Sequence, residues 1–465
     1  MHTSRDIIAN LWFLGGGDLS ALDMLTLTGE EPQLPSSFRV AVAAQASIAV
    51  AAMAAAEIWR LRCGKEQTVS VDMRHAAIEC RSERYLQVEN MLPPAAWDAI
   101  AGVYRTGDEH FVRLHTNFPH HREAVCRVLS CNASREAVQA ALVHWSGNDF
   151  EQAATDAGGV VALMRSHDEW LSHPQGQAVA ELPLLSIERI GDAPPRALSQ
   201  GTRPLDGIRA LDLSRVIAGP VAGRTLAAHG ADVMLVASPN LPAIPWLTID
   251  TGRGKISTFI DLQTEQGRNT LRSLIATTDI FSQGYRPTSL ATHGFAPHDL
   301  ATISPGIVCV SLSAYGHVGP WAEKRGFDSL VQTTTGFNHA EGQAAGIDGP
   351  KELPAQMLDH TTGYLMAFGA MMAKLRQAQE GGSWHVRVSL AQTGRWLWNL
   401  GRLNEGLATP DLTKDDARPF LQEMTSGFGL LSAVRHAALL SATPAHWERP
   451  AVPLGNDPAI WPQIS

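Results

Sequence analysis

Three features of the 465-residue sequence predict an α/β fold, a doubly wound Rossmann-like parallel sheet with a second, smaller α/β domain. From residue 208 onward, short apolar runs alternate with helical stretches, the pattern of repeated strand–helix–strand units. The runs are apolar on both faces, as strands covered by helices on each side must be. Upstream, Gly191-Asp-Ala-Pro-Pro195 and Gly201-Thr-Arg-Pro204 concentrate turn and linker residues and mark a boundary with a smaller unit.

Each element follows from its own residues. The Ala-rich stretch 40–58 is interrupted by Gln45, Ser47 and Glu57, which suits a buried helix better than a membrane span. Residues 104–178 mix a β-pattern, His110-Phe-Val-Arg-Leu-His115, with helical stretches at 122–129 and 135–145. Beyond the boundary, Ile208-Arg-Ala-Leu-Asp-Leu213 is a strand, 214–220 a loop and 221–228 a helix. Ala231-Asp-Val-Met-Leu-Val236 is the next strand, followed by a helix at 265–275 and strands at 279–281 and 307–311. Ligands of doubly wound sheets bind at the carboxyl ends of the strands, here 214–220, 283–287 and 313–320. The chain divides into an N-terminal helical and strand part (1–100), a small α/β domain (101–190), the Rossmann-like domain (204–400) and a tail packed on that domain (401–465).

Composition narrows the function. A net charge of −9 gives no electrostatic case for nucleic acid or an anionic membrane. No Gly-x-Gly-x-x-Gly follows the first strand, so NAD and flavin are not expected, and there is no P-loop, His-Glu-x-x-His or Gly-x-Ser-x-Gly. The five cysteines, Cys63, Cys80, Cys126, Cys131 and Cys309, are dispersed and read as reduced thiols. With an N-terminus that lacks a signal-peptide pattern, this makes the cytoplasm the expected location. His115, His120 and His121 have no Cys, Asp or Glu at ligand spacing, so no metal is expected. Trp384, Trp396 and Trp398 read as core or interface.

Residues 40–73 can be laid on 357–390 without gaps: Ala56 meets Ala373, Gly64 meets Gly381, Val69 meets Val386 and Val71 meets Val388. Each copy reads as a small-residue helix, a Gly turn and a strand. Asp359 falls opposite Val42. It stands at the head of the second helix, in Leu358-Asp-His-Thr-Thr-Gly363, where a carboxylate is either a helix cap or a nucleophile.

From Pro204 onward the chain resembles the class III CoA-transferase family of the CaiB/BaiF type. The matching segments are Pro204-Leu-Asp-Gly-Ile-Arg-Ala-Leu-Asp-Leu-Ser-Arg-Val-Ile-Ala-Gly-Pro220, His229-Gly-Ala-Asp-Val233, Gly252-Arg-Gly-Lys255, Tyr285-Arg-Pro287, Ser311-Leu-Ser-Ala-Tyr-Gly-His-Val-Gly-Pro320, Gly326-Phe-Asp328 and the Asp359 helix head. The N-terminal half resembles later regions of the same family, at Gly64-Lys-Glu-Gln-Thr-Val-Ser-Val-Asp-Met73 and Tyr104-Arg-Thr-Gly-Asp-Glu-His-Phe-Val112. The order is therefore rearranged, small-domain half first and nucleotide-fold half second.

The resemblance implies a CoA-transferase in which Asp359 is the catalytic nucleophile, forming an acyl anhydride and then an aspartyl-CoA thioester. It implies an acyl-CoA and a carboxylic acid as substrates, coenzyme A as the only cofactor-like group, and a homodimer. Val216, Ile217 and Ala218 would offer backbone to CoA. Arg253, Lys255, Gly284, Tyr285, Arg325, Gly326 and Phe327 would complete the CoA site. Three departures stand out: Ile217 where some members have glutamine, Ala237-Ser238 in place of an acidic–basic pair, and Thr292 in place of an arginine. Racemases of the superfamily carry a histidine where this chain has Phe327, which cannot exchange a proton. His317 and His360 lie nearby in sequence. An acyl-CoA racemase or isomerase and a catalytically silent CoA-binding protein are the alternative readings.

Overall fold

In the computed structural model, which describes residues 2–94 and 97–462, the alternating strands assemble into one seven-stranded sheet. In chain order its strands are β1 (Leu185–Gly191), β2 (Arg209–Leu213), β3 (Asp232–Ala237), β4 (Lys255–Phe259), β5 (Ile280–Gln283), β6 (Val308–Ser313) and β7 (Ser383–Ser389). They lie side by side as β4-β3-β2-β5-β6-β7-β1. The six strands from β2 to β7 are parallel, and β1 pairs antiparallel with β7. Chain order reverses direction at β2, and the crevice above such a switch point is where doubly wound sheets bind ligands. Two apolar cores, one on each face, explain why the strands are apolar throughout. Met1, Ala95, Ala96 and the last three residues of the 401–465 tail lie outside the described residues.

Two departures from the sequence boundaries matter. Strand β1 falls within the stretch assigned to the small domain, yet it closes the edge of the large sheet; beyond Leu185 its residues are only partly covered or exposed, as suits an edge strand. The small unit's own sheet is Gly102–Arg105, Phe111–Leu114 and Val161–Leu163, over a core that includes Val112, Leu142 and Phe150. The tail, expected on the large domain alone, also adds Ala438–Leu440 to the open edge of Val69–Asp72. Its hairpin, Leu421–Ser426 and Gly429–Val434, pairs with Gln87–Val88.

The internal correspondence is structural to the residue. Helix α1 (Val40–Cys63) and helix α2 (Met357–Glu380) each have 24 residues. Each is followed by a glycine at positive φ, Gly64 at 71° and Gly381 at 73°, where only glycine is unstrained. The next strand of each ends on a residue that caps the following helix. Asp72 accepts from the His75 N–H, and Ser389 accepts from the Gln392 N–H. The two long helices pack against each other. Helix α1 is long and apolar enough to cross a membrane by length and composition, but 89% of its most apolar stretch is buried within the protein.

Candidate active site

The chain after β2 turns sharply into helix Ala218–Ala228. Val216, a β-branched residue, is held at φ 73° in this turn, a strained conformation that the surroundings must enforce. Lys255 does part of this: its Nζ donates to the Pro220 carbonyl at 2.8 Å and to Asp212 Oδ2 at 2.8 Å. Gly363 of α2 permits the close approach. A Cβ there would lie 2.5 Å from the Ala218 carbonyl oxygen, so a larger residue would push the turn away from the head of α2.

The result is a cleft of about 760 Å³ whose walls come from both halves of the chain. Val216, Ile217, Phe327, Asp328, Ser329 and Asp359 line it from the nucleotide-fold side. Glu83, Arg84, Trp97, Asp98 and His115 line it from the N-terminal side. Val216, Ala243, Ile244 and Leu247 also line a smaller depression that runs to Phe118, Arg215 and Tyr285.

Asp359 is in the first turn of α2, and its side chain caps nothing. The capping is done from outside: the Asp359 backbone N–H donates to Asp328 Oδ2 at 2.8 Å. Gln332 Nε2 donates to the other oxygen of Asp328 and to the Ala355 carbonyl at 3.1 Å. This leaves the Asp359 carboxylate 7% exposed and facing the cleft, with no hydrogen bond from any described residue. Burial, then the charges of Asp328 and Glu83, pushes its carboxyl well above the usual carboxylate range. Burial raises Asp328 to about 7, against the hydrogen bonds it accepts.

Glu83 is supplied by the short helix Ser82–Tyr85 of the N-terminal half. Its Oε2 lies 3.0 Å from His360 Nε2. Burial opposes its charge, but His360 outweighs this and holds Glu83 below its ordinary value. The neighbouring Ser82 Oγ donates to Asp250 Oδ2 at 2.6 Å, and Arg224 and Arg253 clamp the same carboxylate at 2.7 and 2.8 Å. This buried network fixes the N-terminal half against the large domain, one residue from Glu83.

The structure separates the sequence-derived site residues into three groups. Asp359, Val216, Ile217 and Phe327 meet in the cleft, Phe327 stacked on His115 with ring centroids 3.9 Å apart. Tyr285 lies at the smaller depression, and Arg325 is exposed, with Arg286 close enough to repel it. The third group corrects the expectation. Arg253 and Lys255, expected at phosphates, are each 1% exposed and saturated by Asp250 and Asp212. Their charges compensate buried carboxylates and cannot reach a ligand. Ala218 is buried in the helix start, Gly326 packs on Ala314 and Tyr315, and Gly284 lies outside both cavities. His317 lines a different cavity, with His385 and Arg387.

Glu83, Arg84 and Trp97 carried no local signal, since their place in the site depends on contacts as distant in sequence as Glu83 to His360. Asp328 was visible only as part of a motif. Burial lowers His115 to about 3, so it is neutral. Among the described residues no group of three or more His, Cys, Asp or Glu is placed to hold a metal ion.

A nucleotide-type sheet with an unpartnered carboxylate at its switch-point crevice defines a class of enzyme-like architecture, and comparison with known proteins names the family. Residues 205–457 match the model of CoA-transferase family III, and the chain belongs to that family. It is 29% identical over 293 residues to acetyl-coenzyme A transferase nodX of Hypoxylon pulicicidum, covering 60% of this chain and 48% of that protein. It is 28% identical over 278 residues to a probable fatty acyl-CoA transferase of Mycobacterium tuberculosis, covering 54% and 68%. A succinate–glutarate CoA-transferase of Agrobacterium fabrum is 30% identical over 207 residues, 40% of this chain and 51% of that one. The chain thus spans about half the length of several curated relatives. Among solved structures, a CAIB/BAIF family protein from Brucella suis aligns with a TM-score of 0.37 at 24% identity, covering 50% of this chain and 65% of that one.

Proposed function

We propose that this chain transfers CoA between an acyl-CoA thioester and a carboxylic acid, with Asp359 as the covalent nucleophile. The observation that carries this reading is the Asp359 carboxylate: buried, lining the cleft at a helix head, and without a hydrogen bond from any described residue. Buried polar groups in native proteins are almost always paired, and an unpaired one aimed at a cleft is available to a substrate.

The steps balance with no co-reactant beyond the two substrates. An Asp359 oxygen attacks the thioester carbonyl, the C–S bond breaks, and CoA leaves as thiolate from a mixed anhydride. The thiolate attacks the aspartyl carbonyl of the anhydride, releasing the acyl group as a carboxylate and leaving an aspartyl-CoA thioester. The acceptor acid repeats both steps in reverse and leaves with CoA. Asp359 must be ionised to attack. Burial also raises Asp328, to about 7, so the two neighbouring acids titrate together, and loss of charge on Asp328 eases ionisation of Asp359. The Ser329 hydroxyl, buried in the cleft wall without a partner among the described residues, would donate to the developing oxyanion. The CoA nucleotide would run along the depression from Tyr285 and Arg215 to Val216, with the exposed Arg286 and Arg325 near its phosphates. We further propose that one chain forms a complete site, since the N-terminal half already supplies Glu83 and Arg84.

The test is transfer of CoA from an acyl-CoA to an isotopically labelled acid, run in deuterated water. Labelled acyl-CoA without deuterium at its α-carbon supports the reading. Exchange of the α-proton without transfer, surviving in Asp359→Asn, would make the protein an isomerase instead.

A further inference from the structure

We propose that Cys126 and Cys131 are a redox-sensitive modification site: a peroxide oxidises Cys126, and Cys131 resolves it to an intramolecular disulfide. The inference is independent of the transferase reading. The two cysteines hold defined places at the end of helix Pro119–Leu129 in the small unit. Ser130 follows that helix in the left-handed conformation, with φ 51°. The Cys131 N–H donates to the Cys126 carbonyl at 3.1 Å, and the Ser130 N–H donates to the Arg127 carbonyl at 3.3 Å. These are the paired bonds of a Schellman ending, which brings the side chains of its first and sixth residues together. The 3.1 Å bond holds the two Cα atoms within about 7 Å, and a disulfide spans Cα atoms about 4.4–6.8 Å apart. The thiols lie within hydrogen-bonding reach of each other, and both side chains pack against one core. Each is only partly buried, so a small oxidant reaches them.

The pair is asymmetric. Burial raises the Cys126 thiol, but the Arg122 guanidinium and a hydrogen bond from Cys131 oppose that and favour its thiolate. Burial, then the charge and hydrogen bond of Cys126, raises Cys131. Cys126 is therefore the attacking sulfur. Its thiolate attacks one oxygen of hydrogen peroxide, the O–O bond breaks, and the leaving hydroxide takes up a proton as water. The Cys131 sulfur then attacks the sulfenic acid, the S–O bond breaks, the S–S bond forms, and a second water leaves with the Cys131 proton. Two thiols and one peroxide thus give one disulfide and two waters. The remaining cysteines are placed differently. Cys63 donates to the Trp59 carbonyl at 3.2 Å, and Cys80 and Cys309 are 0% and 1% exposed, with thiols that burial raises. Arg122, one turn before Cys126, holds the cleft-lining Asp98 at 2.9 Å, so the disulfide staples the helix that braces one wall of the cleft.

The experiment treats the folded full chain with hydrogen peroxide over time, alkylates the remaining thiols and maps the peptides by mass spectrometry. The expected result is the loss of two thiols together and a cross-linked Cys126–Cys131 peptide. Dithiothreitol should restore both, while Cys63, Cys80 and Cys309 stay alkylatable in the unfolded digest throughout. Cys131→Ser is expected to form no cross-link and to leave Cys126 as a sulfenic acid that dimedone captures. Cys126→Ser is expected to slow oxidation of the remaining thiol of the pair by about 10-fold or more, the loss of the favoured thiolate. Oxidation of Cys63 ahead of the pair would overturn the inference. So would a wild type in which Cys126 and Cys131 are oxidised separately, without a cross-link between them. Equal oxidation rates in the two serine variants would overturn the assignment of Cys126 as the attacking sulfur.

Discussion

Helices α1 and α2 are the same device used twice, once without chemistry. Both have 24 residues, end at a positive-φ glycine and lead into a strand and a capped helix. Even the heads match. The N–H of the third residue is held by an external carboxylate in each, Val42 by Glu31 at 2.8 Å and Asp359 by Asp328 at 2.8 Å. The difference is the third side chain. At Val42 it is apolar and buried in the main core, 1% exposed. At Asp359 it is a carboxylate facing a cleft. A helix head is therefore not a site by itself. It becomes one where a carboxylate, an open crevice and a second acid converge, and here that happens in one of the two copies.

The comparison can be broken most strongly by moving the carboxylate. Asp359→Asn is expected to lower CoA transfer about 10³-fold or more while leaving CoA affinity within a few-fold, measured by steady-state transfer and calorimetric binding. Val42→Asp placed on that background should restore nothing and should lower stability by about 1–3 kcal/mol, since the new carboxylate would be buried beside Glu31. Recovered activity would mean that the two heads are equivalent.

The next effect is on pH. In the proposed mechanism Asp359 must be ionised to attack, and burial beside Asp328 and Glu83 raises its carboxyl well above the ordinary range. The rate is expected to fall about tenfold per pH unit on the acid side of that titration and to level off once Asp359 is ionised. Asp328→Asn removes the neighbouring charge and should move this limb to lower pH. A limb that stays in place would detach Asp328 from the nucleophile.

Lys255 separates structure from binding. Lys255→Met leaves Asp212 as an uncompensated buried charge and is expected to cost about 3–5 kcal/mol in denaturant unfolding, with little change in the CoA affinity of the folded protein. A large loss of affinity without loss of stability would return Lys255 to the phosphates.

The smallest effect lies at the silent head. Burial raises Glu31 from 4.5 to about 6. A carboxyl raised in the folded state favours folding when protonated, so its contribution declines as pH climbs from about 4.5 to 6. Glu31→Gln keeps an acceptor for the Val42 N–H and should gain up to about 2 kcal/mol over the wild type across that window. Parallel pH–stability curves for the two proteins would contradict this.

The sheet was legible in the sequence because parallel strands buried on both faces leave continuous apolar runs. Helix 265–275 was read to the residue, and the gapless correspondence of 40–73 with 357–390 survives in three dimensions. Asp359 was legible because it is an acid in an apolar helix head. Arg253 and Lys255 were misread because a loop arginine or lysine looks the same whether it meets phosphate or a buried acid, and the partners, Asp250 and Asp212, were invisible as such. Glu83 and Arg84 were not legible at all. Their place in the site comes from folding one half of the chain against the other, Glu83 and His360 being 277 positions apart.

The most direct measurement is to incubate the protein with an acyl-CoA, reduce with borohydride and map the modified peptide by mass spectrometry. An aspartyl anhydride or thioester at the head of α2 would be reduced there, so the account expects the mark on Asp359, none on the α1 head, and none in Asp359→Asn. A mark on another residue, or CoA transfer that persists in Asp359→Asn, would contradict it.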